Sequence, residues 1–219
     1  MKPRFCKKCL LLTFVALVAL ATGYLASTGF TSGSPSREEL QGQLAQATLL
    51  PDGFRSIPAI ELRDHNNTGI DAGFFHNRWT LAFFGYTSCP DICPVSMSVL
   101  SEARKHIQAA GEPATPQVVF VSVDPDRDLP DTLKAYVEFF DADAVGVTGD
   151  RDNIDRLTKA LGIVYKLADD ATSNPAYLVD HSASFVLIDP TGSLTAILSA
   201  PHDAETIARD YLKIVKARS

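Results

Sequence analysis

In the stretch LAFFGYTSCPDICPVSMSVL, Leu81–Leu100, an apolar run gives way to two closely spaced cysteines and then to a helical pattern. Residues 81–86 are almost continuously apolar or aromatic, which predicts a buried β-strand. Cys89 and Cys93 follow with three residues between them. This spacing is compatible with a disulfide, with part of a metal site and with two buried structural thiols, and by itself it does not choose among them.

A proline follows each cysteine and affects the link to the helix. The residue before a proline is disfavoured in the α region, which applies to Cys89 before Pro90 and to Cys93 before Pro94. We therefore predict a turn at 90–92 and a helix whose first residue is Pro94. Cys93 would then lie near the N-cap, where unpaired N–H groups and the positive end of the helix favour a thiolate.

Strands and helices alternate through the rest of the chain. Further strands are predicted at 56–64, 117–123, 145–148, 184–189 and 193–199, and helices at 95–109, 130–140, 151–161 and 203–215. Alternating elements that end in a hairpin indicate an α/β sandwich around a mixed central sheet. A cysteine pair between a central strand and a helix is typical of thioredoxin-like folds. We therefore predict a thioredoxin-like domain over 51–219.

The first fifty residues predict a membrane anchor and a tether. Four basic residues precede the uncharged apolar segment 10–30, which is long enough to cross a hydrocarbon core of about 30 Å. These charges predict a cytoplasmic tail, 1–9, and an exported domain, hence a single-pass protein of a bacterial inner membrane that faces the periplasm. Residues 31–50 are predicted to form a linker. A signal peptide cleaved near Ala21 is the alternative.

The charge and the remaining cysteines narrow the possible functions. Lys and Arg total 20 against 26 Asp and Glu, a net charge of −6. An acidic domain lacks the basic face that binding to a phosphate backbone requires, so nucleic acid is not an expected partner. Cys6 and Cys9 are predicted on the reducing side of the membrane and are interpreted as free thiols. Cys89 and Cys93 face an oxidising compartment, where paired thiols tend to form disulfides.

A histidine far along the chain supplies a third candidate ligand. His181 lies in YLVDHSASFVLIDPTG, 177–192, just before the strand predicted at 184–189. In thioredoxin-like oxidoreductases the corresponding loop returns to the cysteines and normally carries a cis-proline, whereas here Asp180 to Ser182 occupy that position. Two thiolates and one imidazole form a soft donor set of low coordination number, which favours copper. Zinc would require a fourth protein ligand or a water.

Other polar residues are interpreted as structural or solvent-exposed. Asp124, Asp126 and Asp128 have the composition of a hard-metal cluster, but a solvated loop or a partner-docking surface near the site is the favoured interpretation. The remaining histidines lack a paired ligand spacing and are predicted to be surface or turn residues: His65, His76, His106 and His202.

Three segments together resemble a known family. FGYTSCPDICP, VFVSVDPDRD and LVDHSASFVLIDPTG, in this order and at these intervals, resemble the Sco/SenC family of membrane-tethered, thioredoxin-like copper proteins of cytochrome c oxidase assembly. The resemblance extends from about Ile57 to the C-terminus. It implies that Cys89, Cys93 and His181 are the ligands of Cu(I), Cu(II) or both. It also implies a partner, cytochrome c oxidase subunit II, to which copper would be delivered.

Two functions remain open after this resemblance. The first is a copper metallochaperone, which is not an enzyme. The second is a thiol–disulfide oxidoreductase in which Cys89 and Cys93 are catalytic and keep the cysteines of subunit II reduced. The presence of His181 in place of the cis-proline favours the first. A monomer is expected, with other copper chaperones or thioredoxin-like reductants as further partners.

Overall fold

The computed structural model describes residues 17–20, 35–111, 114–169, 171, 174 and 176–218. The chain divides into two compact units, Met1–Ser36 and Arg37–Ser219. In the first unit, residues 17–20 are helical, and the rest of the predicted tail and anchor, 1–9 and 10–30, lies outside the described residues. Among the helices that are described, none is long and apolar enough to cross a membrane.

The second unit contains alternating strands and helices. The described strands are β1 (Ala47–Leu49), β2 (Leu62–Asp64), β3 (Gly69–Ile70), β4 (Thr80–Gly85), β5 (Gln117–Ser122), β6 (Val145–Gly149), β7 (Tyr165–Leu167), β8 (Val179–His181), β9 (Phe185–Ile188) and β10 (Leu194–Leu198). The described helices are α1 (Arg37–Gln41), α2 (Ile92–Ala109), α3 (Pro130–Phe140), α4 (Arg151–Leu161) and α5 (Ala204–Arg218), with a short 3-10 helix at Ala72–Phe75.

The bounds of α3 and α4 follow from local signals in the sequence. α3 begins with Pro130, whose missing N–H is not needed in a first helical turn. The side chain of Asp150 caps α4 by accepting a backbone hydrogen bond, and Gly162 ends that helix in the left-handed conformation at φ 74°. Both helices lie where the sequence pattern predicts them.

The main sheet combines parallel and antiparallel pairings. Among the described residues it has eight strands in the order β1-β10-β9-β4-β5-β6-β2-β3. β4, β5 and β6 are parallel to one another, and the other neighbouring pairs are antiparallel. β7 and β8 pair in a separate two-stranded sheet. The predicted α/β fold around a mixed central sheet is therefore confirmed.

β4 lies within the sheet and is buried on both faces. Every residue of β4 is buried, and the ring of Phe83 is fully inaccessible. Because β4 and β5 are parallel and Gly85 pairs with Ser122, the two strands end at the same edge of the sheet. We call this edge, with the loops 86–91 and 123–129 that follow the two strands, the site edge.

Part of the predicted linker, 31–50, belongs to the folded domain. It contains α1 and β1, and it buries three apolar side chains: Leu40, Ala47 and Leu49. The buried carboxylate of Asp210 accepts hydrogen bonds from the backbone N–H groups of 45–47 at 2.7–3.1 Å. The folded unit therefore begins at Arg37 rather than at residue 51. The local composition could not predict this, because the stabilising carboxylate is remote in sequence.

Candidate metal centre

The helix that carries Cys93 begins two residues earlier than predicted. Its N-cap is Asp91 and its first residue is Ile92, so Cys93 and Pro94 both lie in the first turn. A proline is tolerated there because the first N–H groups of a helix have no intrahelical partner. The prediction of Pro94 as the first helical residue is wrong, since the complete burial of Cys93 outweighs the backbone preference of a residue before proline.

The two cysteines differ in exposure and in acidity. Cys89 is half-buried, whereas Cys93 is fully buried. Burial alone would raise the pKa of Cys89, but backbone hydrogen bonds from Asp91 and Cys93 outweigh burial and lower that pKa. Burial raises the pKa of Cys93. The prediction that the helix N-terminus favours a thiolate at Cys93 is therefore wrong. The backbone N–H groups at the start of α2 favour a thiolate at Cys89 instead.

Space for the Cys93 sulfur depends on a glycine at the end of β4. A Cβ atom on Gly85 would lie 2.7 Å from Cys93 Sγ and 3.1 Å from a ring carbon of Phe120. Any larger residue at position 85 would therefore displace the sulfur or the ring. Sequence reasoning missed this role, although a glycine at the end of an otherwise apolar strand is a signal of close approach by another group.

His181 reaches the cysteines from the end of β8. Its Nε2 lies 3.2 Å from Cys93 Sγ, and its Nδ1 lies 3.1 Å from the carbonyl oxygen of Ser182. Because a carbonyl only accepts hydrogen bonds, this contact assigns the proton to Nδ1 and leaves the Nε2 lone pair directed at the sulfur. Burial lowers the pKa of His181, which favours the neutral ring. Metal-binding histidines are commonly oriented by a hydrogen bond of this kind, made by the ring nitrogen that does not bind the metal.

Two aromatic rings enclose the imidazole of His181. The centroid of Phe83 lies 5.7 Å from it and that of Tyr86 lies 6.0 Å from it, both in edge-on arrangements. The Tyr86 side chain also contributes to the lowered pKa of Cys89. Tyr86 therefore contacts groups from both halves of the site, which its position at the end of an apolar run did not reveal.

The three predicted ligands come together at the site edge. The sulfurs of Cys89 and Cys93 and a ring nitrogen of His181 all lie within 4.8 Å of one another. In the part of the chain that the structure describes, this is the one group of three or more Cys, His, Asp or Glu side chains that could hold a metal ion. Two soft sulfurs and one imidazole fit copper better than they fit the hard cations that prefer oxygen ligands.

The loop 124–128, DPDRD, is not a solvated turn. Asp124 and Asp128 are fully buried, and Asp128 accepts hydrogen bonds from the backbone N–H of Thr87 at 2.9 Å, from its hydroxyl at 2.6 Å and from the Ser122 hydroxyl at 2.6 Å. The sequence interpretation of this loop is wrong for these two aspartates. Tyr177, which donates to Asp124, and Thr87, which donates to Asp128, lie tens of residues away, so the run of aspartates carries no local sign of burial.

The other histidines divide between the surface and the interior. His76 and His106 are exposed, as predicted. His202 is half-buried, stacks on Phe185 with centroids 3.8 Å apart, and contacts the carbonyl oxygen of Ala183 at 2.7 Å through Nε2. His202 thus supports the segment that follows His181 instead of lying at the surface. Cys6 and Cys9 lie outside the described residues.

Comparisons with known proteins identify the relatives of this chain. The SCO1/SenC family model matches residues 53–216. A putative copper-binding protein of Stutzerimonas stutzeri is 35% identical over 165 residues, which cover 75% of this chain and 79% of that protein. The mitochondrial SCO2 homolog of Bos taurus is 33% identical over 150 residues, which cover 68% of this chain. The matched region spans about half of that relative, 55% of its length.

The fold is shared with solved structures as well. The crystal structure of yeast Sco1 with copper bound matches with a TM-score of 0.69 at 27% identity, over 74% of this chain and 89% of that one. This match supports the thioredoxin-like fold that the order of strands and helices predicts for the domain with Cys89, Cys93 and His181. The chain belongs to the SCO1/SenC family.

Proposed function

We propose that this chain is a copper metallochaperone in which Cys89, Cys93 and His181 bind the ion as cargo. The observation that carries the proposal is the convergence of two sulfurs and one imidazole nitrogen within 4.8 Å of one another. Such a donor set favours copper over cations that prefer oxygen. The copper bound to yeast Sco1, which shares this fold, supports the same assignment.

Each proposed ligand has a distinct part in holding and releasing the ion. Cys93 and His181 form the fixed inner side of the site, because Cys93 is fully buried and the Nδ1 hydrogen bond orients His181. Cys89 is the more exposed sulfur, and hydrogen bonds from the helix N-terminus stabilise its thiolate. Ligand exchange with a partner would therefore begin at Cys89.

The cellular setting belongs to the same proposal. The apolar segment 10–30 and the basic residues before it support a single-pass anchor in a bacterial inner membrane, with a monomeric domain in the periplasm.

BsSco, a member of the Sco family of cytochrome c oxidase assembly proteins, shares this fold. We take the copper-receiving partner to be cytochrome c oxidase subunit II. Other copper chaperones would load the site.

A thiol–disulfide reductase is the second candidate, and the cysteine geometry favours it specifically. Cys89 has a lowered pKa and partial exposure, as an attacking thiolate requires, and the buried Cys93 lies within reach of it. Cys89 would attack a disulfide of subunit II and form a mixed disulfide with one of its sulfurs. Cys93 would then attack Cys89, which leaves both subunit II cysteines as thiols and this chain oxidised.

Replacement of His181 by Ala separates the two candidates. A metallochaperone needs the imidazole as a ligand, so His181→Ala should weaken copper binding by more than 100-fold, beyond the 10- to 100-fold effect of groups outside the coordination sphere. A dithiol reductant needs only the two cysteines. The measurements are copper affinity, thiol reduction potential and oxidase assembly in cells, with His106→Ala as the control at an exposed histidine. Normal oxidase assembly with copper affinity lost would reject the metallochaperone in favour of the reductase.

A further inference from the structure

We propose that Arg127, paired with Asp124, is a positioning residue that sets the approach of His181 to the two cysteines. The inference rests on the proposed copper site, because the position of His181 matters to an ion only if that site binds one. Neither residue is placed within the ligand set. Their effect would be transmitted through Tyr177, which precedes the strand that carries His181.

His181 needs such support because its strand is not part of the main sheet. β8 pairs only with the three-residue strand β7 among the described strands, and the two form a separate sheet. The cysteines, in contrast, follow β4, which pairs on both sides within the eight-stranded sheet. The distance between His181 and Cys93 therefore depends on contacts between two sheets that share no backbone hydrogen-bond ladder.

Tyr177, four residues before His181, makes three different contacts with the loop 124–128. Its hydroxyl donates a hydrogen bond to Asp124, and its carbonyl oxygen accepts one from Arg127 Nη1 at 3.0 Å. The guanidinium carbon of Arg127 lies 3.6 Å from the centroid of its ring. Tyr177 is itself buried, with 6% of its surface exposed. The strand that carries His181 is thus fixed to this loop at its N-terminal end.

On its other side the same loop is fixed to the residues that follow β4, 86–93, which we call the cysteine segment. Asp128 accepts hydrogen bonds from the backbone and hydroxyl of Thr87, two residues before Cys89. The guanidinium carbon of Arg127 also lies 5.4 Å from the ring centroid of Tyr86, which follows β4 and packs edge-on against His181. Arg127 therefore contacts both Tyr86, in the cysteine segment, and Tyr177, which precedes the strand that carries His181.

An arginine suits this position for physical reasons. Its planar guanidinium can stack on Tyr177 while its edge donates to Asp124 and to a carbonyl oxygen, which the ammonium of lysine cannot do at once. Asp124 is fully buried, so its charge requires a paired cation. Asp126, in the same loop, is exposed, so its charge does not require a buried cation, and it pairs with Arg151 at 2.8 Å.

The test is Arg127→Met in the full chain, with Arg104→Met as the matched control. Arg104 is a similarly buried arginine that pairs with Asp141 and Asp143, beyond the far end of α3, so its replacement should leave copper affinity unchanged. Arg127→Met should weaken copper binding by about 10- to 100-fold, the range for groups that orient metal ligands. It should also change the nitrogen coupling in the electron paramagnetic resonance spectrum of the cupric protein, which a general loss of stability would not do. Unchanged affinity and an unchanged spectrum would overturn the proposal.

A metal-free readout separates this inference from the copper proposal. In the copper-free chain, Arg127→Met should increase the amide hydrogen exchange of 177–182 relative to wild type, while exchange in β4 stays unchanged. If the wild-type chain binds no copper, the proposed function fails, and this exchange result alone decides the inference. Equal exchange of 177–182 in both proteins would then refute it.

A milder variant covers the case in which Arg127→Met does not fold. Tyr177→Phe removes the hydroxyl that reaches Asp124 but keeps the ring beneath the guanidinium. It should produce the same changes in copper affinity, spectrum and amide exchange, each smaller than in Arg127→Met. A folded Tyr177→Phe protein that matches wild type in all three would overturn the proposal.

Discussion

Two buried carboxylates at opposite edges of the sheet use similar partners for different purposes. Asp128, at the site edge, accepts from the backbone and hydroxyl of Thr87, 41 residues away in sequence, and from Ser122. Asp189 follows β9 at the end where β4 begins, and it accepts from Thr191, Ser193 and Thr195, all within six residues. Among the described residues, its one remote partner is Arg218 of α5, at 3.5 Å. We call the turn 189–193 the hairpin edge.

The comparison shows that Asp189 stabilises a turn, whereas Asp128 stabilises the segment that carries the proposed ligands. The bonds to Asp189 close the hairpin in which it lies and join it to α5, so their loss should affect stability alone. The bonds to Asp128 join the cysteine segment to the end of β5, so their loss should affect stability and the proposed ligands together. The two edges therefore provide matched pairs of substitutions in which one member tests function and the other controls for stability.

The largest expected difference is between Asp128→Ala and Asp189→Ala. Each removes several buried hydrogen bonds, and each should lower the free energy of unfolding by about 3 kcal/mol, since bonds to a charged group contribute about 1.5–3 kcal/mol. Copper affinity should fall at least 10-fold in Asp128→Ala and remain unchanged in Asp189→Ala. Urea unfolding and competition with a copper chelator measure the two quantities. Equal copper affinity in the two variants would show that the site edge needs no such support.

A second pair compares glycines at the two edges. In Gly85→Ala the new Cβ atom would lie 2.7 Å from Cys93 Sγ, so overpacking should cost about 1–3 kcal/mol and displace the sulfur. In Gly192→Ala the Cβ atom would meet His76 at 2.6 Å, and the φ of 79° adds strain of about 1–3 kcal/mol. Thermal unfolding should detect both losses.

Only Gly85→Ala should also alter the site. We expect weaker copper binding and a shifted sulfur-to-copper charge-transfer band in that variant, with neither change in Gly192→Ala. A charge-transfer band of Gly85→Ala identical to that of wild type would mean that the sulfur can move without consequence, and the close approach at Gly85 would be a matter of packing alone.

The sequence predicted the parts of the site that depend on local pattern. The apolar run of β4, the spacing of Cys89 and Cys93, and the place of His181 before β9 were sufficient to select three side chains that lie close together in the structure. The roles of Asp124, Asp128 and Asp210 were not predictable in this way. Each of these carboxylates has a partner tens of residues away in the sequence: Tyr177 for Asp124, Thr87 for Asp128 and the backbone of 45–47 for Asp210. The periodicity of the sequence carries no sign of such pairings.

The first turn of α2 shows a second kind of failure. Backbone preferences before proline placed the helix start at Pro94, whereas it lies at Ile92. The unpaired N–H groups and the positive end of this helix predicted a thiolate at Cys93, but burial raises the pKa of that cysteine. The helix dipole and the conformational preference before proline apply to a helix end in isolation. Here the burial of Cys93 in the core outweighs both effects, while Cys89 stays partly exposed.

The smallest expected effect concerns pH and His202. Burial lowers the pKa of His202 below its ordinary value of 6.5, so the unfolded chain binds a proton more readily than the folded one. Its contribution to stability is therefore present above about pH 6.5 and is lost as the pH falls toward the folded pKa. His202→Gln should reduce the fall in melting temperature between pH 7 and pH 5 by about 2 °C. An identical fall in both proteins would contradict this assignment.

X-ray absorption at the copper edge of the loaded full chain tests the central claim most directly. The account predicts two sulfur ligands and imidazole nitrogen, with the imidazole signal absent in His181→Ala and retained in the control His106→Ala. A copper environment with fewer than two sulfurs, or one whose imidazole signal survives His181→Ala, would contradict the assignment of Cys89, Cys93 and His181 as the ligands.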